Sequence, residues 1–93
     1  MTKAKKQTGP NMAPLIFAVS GLSAILREEC MSVTSNGRIV TWVDDDPDGH
    51  HISIALDDNG DLHAELYLFT LDPVKMYAVL GLCHENCKTI EML

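Results

Sequence analysis

Ninety-three residues, 46% of them apolar and 22% charged, place the chain in the globular class, with material for one core and not two. The net charge of −6 is unevenly spread: Lys3, Lys5 and Lys6 fall in the first ten residues, leaving four basic side chains against all thirteen acids in the rest. Such a body repels phosphate, which argues against direct DNA or RNA binding.

Residues 1–10 (MTKAKKQTGP) have the composition of a flexible basic tail, and residues 11–93 read as a single α+β domain. Asn11 is suited to cap a helix that holds Pro14 in its first turn and runs to about Cys30. Leu15, Ala18, Val19, Leu22, Ile25, Leu26 and Cys30 recur on one helical face, with Gly21 costing about 1 kcal/mol of propensity. The run from Leu15 to Leu26 has the length of a signal-peptide core but is too short to span a bilayer. Arg27, Glu28 and Glu29 stand where a small-residue cleavage site belongs, so a core helix is expected and no membrane partner.

Two hairpins follow. Asn36-Gly37 is the preferred pair for a two-residue type I′ turn and joins Met31–Ser35 to Arg38–Val43. In the second, Ile52, Ile54 and Leu56 alternate on one strand and Leu62, Ala64, Leu66 and Leu68 on the next. A two-residue loop at Asn59-Gly60 mixes the faces. A three-residue loop, Asp58-Asn59-Gly60, pairs Leu56 with Leu62, Ile54 with Ala64 and Ile52 with Leu66, and puts Gly60 in the left-handed conformation. That register turns His51, Ser53, His63, Glu65, Tyr67 and Phe69 to the opposite face.

Asp72-Pro73 predicts the start of a second helix, with Met76, Tyr77, Leu80, Cys83 and Cys87 on one stripe and fraying after Asn86. The expected fold is therefore an N-terminal helix, an antiparallel sheet of about four strands in two hairpins and a C-terminal helix, with both helices on one face.

Asp44-Asp45-Asp46-Pro47-Asp48-Gly49 fits the D-x-D-x-D-G opening of a calcium loop, and over these six residues the chain resembles an EF-hand. The bidentate glutamate of that family falls on Ala55, and the flanking segments read as strands, so a solvated acidic turn is expected. Cys83 and Cys87, four apart on a helix, are close enough to share a metal with Cys30, His50, His51 or His63. Only one such Cys/His knuckle exists, which favours core packing of the thiols, so no cofactor is expected. Three cysteines, odd in number, point to a reducing compartment and a cytoplasmic location. His63 and Glu65 are the one pair suited to acid–base chemistry, with nothing converging on them, and the chain is expected not to be an enzyme.

What remains is a surface for a protein partner: the acids Asp44, Asp45, Asp46, Asp48, Asp57, Asp58, Asp61 and Glu65 beside the aromatic anchors Tyr67 and Phe69. In size, acidity and lack of a catalytic motif the chain resembles virus-encoded anti-defence inhibitors such as anti-CRISPRs and DNA mimics. That resemblance implies a basic surface on a nucleic-acid-handling protein as the target. The helix, antiparallel sheet, helix order in an acidic chain also resembles type III secretion chaperones, which implies a homodimer that binds an extended apolar segment. A metal-binding protein using the Asp44–Asp48 loop or Cys83 and Cys87 is the third expectation.

Overall fold

Alternating apolar residues build one sheet in the computed structural model, which describes residues 11–27, 32–34, 36–43 and 48–93. The elements are α1 (Ala13–Leu26), β1 (Ser32–Val33), β2 (Ile39–Val43), β3 (His51–Leu56), β4 (Leu62–Tyr67), α2 (Pro73–Asn86) and β5 (Cys87–Met92). The strands lie in the order β1-β2-β3-β4-β5, and β1 to β4 form the expected antiparallel meander. Both helices pack on one face of it, so the architecture is α+β. The basic tail predicted at residues 1–10 lies outside the described residues.

The β3–β4 hairpin has the register that alternation demands: Leu56 faces Leu62, Ile54 faces Ala64 and Ile52 faces Leu66. The Asp57 amide donates to Asp61 O at 2.9 Å, and Gly60 adopts φ 86°, a conformation that costs glycine little. The first hairpin keeps its expected register, Val33 against Val40, but its turn differs from type I′. Gly37 alone has positive φ, at 73°, and its amide donates to Thr34 O. Asn36 works through its side chain, whose Oδ1 accepts from the Thr34 hydroxyl at 2.7 Å and the Arg38 amide at 3.0 Å.

Helix α1 stops at Leu26, short of the expected Cys30, because Arg27 turns left-handed at φ 61° and donates its amide to Ser23 O. At the other end Asn11 Oδ1 accepts from the Ala13 amide at 3.0 Å. Leu15, Ala18, Leu22 and Leu26 are buried against the sheet. Gly21 is where the two helices cross, since a Cβ there would run into the Leu82 side chain of α2. Gly81, by contrast, has open space around it. Gly81→Ala is therefore expected to stabilise the fold by about 0.5–1 kcal/mol through helix propensity, whereas Gly21→Leu should cost about 1–3 kcal/mol by overpacking the crossing. Urea midpoints of the two variants measured side by side check this contrast.

Helix α2 begins as predicted, with the Asp72 carboxylate accepting from the Lys75 amide at 3.0 Å. Its buried face is centred on Val79 and Cys83, with Met76 and Leu80 half-buried beside them. Tyr77, expected on that stripe, instead points to solvent and is 76% exposed, because it sits a half-turn away from Val79. The Asn86 side chain donates to Leu82 O at 2.8 Å and closes the last turn.

The chain then does something the sequence reading missed. Instead of fraying, Cys87–Met92 returns as a fifth strand, parallel to β4, with α2 as the crossover that a parallel pair requires. Ile90 aligns with Ala64, Glu91 with Glu65 and Met92 with Leu66, and the Leu93 amide donates to Leu66 O. The core between sheet and helices gathers Val40, Trp42, Ile52, Ile54, Leu62 and Leu66 against Leu22, Val79 and Cys83. Among the described residues no helix is long and apolar enough to cross a membrane.

Candidate functional site

With both helices on one side, the other side of the sheet has no covering layer among the described residues. Strand register orders its side chains into three rows across the sheet. Ile39, Ala55, His63 and Thr89 form the first, Thr41, Ser53, Glu65 and Glu91 the second, and Val43, His51 and Tyr67 the third. The middle row puts two carboxylates on neighbouring strands, roughly 4.8 Å apart in the backbone. Neither Glu65 nor Glu91 has an ion-pair partner among the described residues. Like charges set side by side repel, so this pair raises the local demand for a cation.

The third row carries the apolar anchor. Tyr67 and Phe69 meet edge to face with ring centroids 5.3 Å apart, and Phe69 is 75% exposed. Val43 is also exposed, so with Tyr67 and Phe69 it makes an apolar patch beside His51. Sequence reasoning located Tyr67 and Phe69 by alternation. Glu91 was not legible, because it reaches this face only through the unforeseen β5.

The acids named from sequence separate into two groups. Asp48 is exposed at the end of the sheet where β3 begins, the end that holds Val43 and Tyr67. Asp44, Asp45 and Asp46 lie outside the described residues. Asp57, Asp58 and Asp61 occupy the hairpin loop at the opposite end, about 17 Å away along a six-residue strand, so they do not rim the aromatic pair. They are also engaged internally. Asp58 pairs with Arg38, Asp61 with Lys88 at 3.5 Å, and Asp57 with His63 at 2.7 Å.

Asp57 organises that end of the molecule. Its Oδ1 accepts from the amides of Asn59 and Asp61, at 2.8 and 2.9 Å, while Oδ2 accepts from His63 Nε2. Since the carboxylate can only accept, His63 carries a proton on Nε2, and Nδ1, 2.8 Å from Thr89 Oγ1, accepts from that hydroxyl when the ring is neutral. A carboxylate, imidazole, hydroxyl chain thus ties the loop to β4 and β5. The His63 bond, then the Asp61 and Asn59 amides, hold the Asp57 carboxyl down at about 2 from an ordinary 3.8. A depressed acid of this kind stabilises the fold above its unfolded value, and that contribution disappears as pH falls from 3.8 towards 2. Asp57→Asn is expected to flatten the acid limb of a plot of urea midpoint against pH; an unchanged limb would show that the loop bonds do not persist in solution.

The pair considered for acid–base chemistry is not brought together, since His63 turns both ring nitrogens to Asp57 and Thr89. Of the calcium-loop match, Ala55 sits inside β3, opposite Ile39 and His63. Among the described residues no three His, Cys, Asp or Glu side chains gather into a metal-binding group. Cys83 and Cys87 lie one helical turn apart at the junction of α2 and β5, where the Cys87 amide donates to Cys83 O. On the helical side, an apolar groove of about 300 Å³ runs between Met12, Ile16 and Val19 of the α1 segment and Val40 of β2. Comparison with protein-family profiles, with curated proteins and with solved structures finds no match to this chain.

Proposed function

We propose that the chain is a small protein-binding module that uses its uncovered sheet face to dock on a basic surface, as an inhibitor or adaptor acting in the cytoplasm. The observation that supports this most is the adjacency, on one exposed face, of the unneutralised pair Glu65 and Glu91 and the aromatic anchor Tyr67 and Phe69. Aromatic side chains in a desolvated centre supply binding energy, and unpaired carboxylates select a cationic partner and speed its approach. A target such as the nucleic-acid channel of a DNA- or RNA-handling protein has the required arginines and lysines, in keeping with anti-CRISPR-like inhibitors. The acids at the far hairpin are tied to Arg38, His63 and Lys88, so the docking surface centres on the face and the Asp48 end.

The test is capture of partners from the natural host's lysate by the parent protein and by two variants, Tyr67→Ala/Phe69→Ala and Glu65→Lys/Glu91→Lys. One basic protein held by the parent, weakened by salt and lost with both variants, supports the proposal. Retention by both variants overturns it. Recovery of only a homodimer, or of an extended apolar segment, moves the assignment to a chaperone-like adaptor.

A further inference from the structure

A second site lies where α2 ends, on residues the docking face does not use. Cys83 is in the last turn of α2 and fully buried, while Cys87 is the capping residue, half-buried, the first of β5. The Cys87 amide donates to Cys83 O, so the two residues remain in helical relation. Four residues at a rise of about 1.5 Å put their Cα atoms roughly 6 Å apart. That separation lies inside the span of about 4.4–6.8 Å that a disulfide bridges. Both cysteines are free thiols, one buried and the other half-buried, one helical turn apart.

We propose that Cys83 and Cys87 form a reversible dithiol/disulfide site, oxidised by peroxides, in which Cys87 is the attacking thiol and Cys83 the resolving one. The assignment of roles follows from the surroundings. Cys87 is the more accessible of the two, and it pairs with Leu62, the chain neighbour of His63. The neighbouring Cys83 thiol and then the charge of His63 favour its thiolate, so its titration lies below the ordinary thiol value. The neighbouring Cys87 and burial push Cys83 the other way and keep it protonated.

In the first step the Cys87 thiolate attacks one peroxide oxygen, the O–O bond breaks and hydroxide leaves, giving a sulfenic acid. Next, Cys83 sulfur attacks Cys87 Sγ, the S–O bond breaks, and the Cys83 proton joins the departing hydroxyl as water. Both sulfurs are oxidised, the peroxide is reduced to two waters, and an external thiol restores the pair. A buried resolver beside an accessible attacking thiol also protects Cys87 from irreversible over-oxidation.

The experiment treats the full chain with hydrogen peroxide, blocks free thiols with iodoacetamide and digests it with trypsin. Cleavage after Lys75 and Lys88 releases Met76–Lys88, which holds both cysteines and excludes Cys30. The expected product is that peptide unalkylated and lighter by two hydrogens, reverting with dithiothreitol. Cys83→Ala should leave Cys87 as a sulfenic acid trapped by dimedone, and Cys87→Ser should leave Cys83 unoxidised. His63→Gln should slow alkylation of Cys87 at neutral pH severalfold with circular dichroism unchanged. Full alkylation of both cysteines in the peroxide-treated parent, or a disulfide that joins either one to Cys30 instead, overturns the proposal whatever the variants do.

Discussion

Replacing Trp42 with alanine is expected to destabilise the fold by about 3–5 kcal/mol, a large part of the roughly 5–15 kcal/mol that holds a domain of this size together. Trp42 is the largest side chain in the core and has no exposed surface. It sits on β2 opposite Ile52, so a cavity there would open beneath the sheet among fully buried neighbours. Trp42→Phe should cost far less, and for a specific reason. The indole Nε1 is buried without a hydrogen-bond partner among the described residues, so phenylalanine removes an unsatisfied donor along with part of the ring. Urea denaturation followed by circular dichroism, needed because the only tryptophan is gone, gives both numbers. An alanine variant with the parent's midpoint would mean that β2 is not packed as described.

The second large effect concerns binding. Tyr67→Ala/Phe69→Ala removes both members of an exposed edge-to-face pair and should weaken partner binding by about 2–4 kcal/mol, seen mainly as faster dissociation. Glu65→Lys/Glu91→Lys acts on the approach instead, slowing association by about tenfold or more and flattening its dependence on salt. The two variants separate anchoring from steering because they alter different rate constants on the same face. Surface plasmon resonance against the captured partner at two ionic strengths resolves them. Equal loss of both rate constants in both variants would point to a folding defect, which circular dichroism of the free proteins detects.

Local signals carried much of the architecture. Strict alternation through Ile52–Leu56 and Leu62–Leu68 admits one register that keeps the faces apart, and Asp72-Pro73 satisfies both a cap and a first-turn position, so these elements were legible. The hidden element was β5. Cys83 and Cys87 are spaced for a helix, no glycine or proline separates α2 from the strand, and the pairing with β4 spans the whole of α2. Alternation in Thr89–Met92 gains meaning only once β4 is placed beside it. The same gap explains what was missed at the surface: Glu91 beside Glu65, and Thr89 hydrogen-bonded to His63, are products of a long-range pairing. The left-handed Arg27 that ends α1 had no sequence signal, since glycine or asparagine ordinarily fills that role.

The way β5 is attached bears on how the molecule opens. β1 to β4 are linked by neighbouring turns, whereas β5 is an edge strand with mostly exposed side chains, held through one neighbour. Elements with few buried contacts and late, long-range pairing are the ones that detach at the lowest free energy while the remainder stays folded. Cys87 and Glu91 therefore ride on a strand that can peel away without disturbing the β1–β4 meander. Detachment would part Glu91 from Glu65, release the Thr89 hydroxyl from His63 and bare the edge of β4. An event at the thiols is in this way mechanically placed to alter the surface offered to a partner.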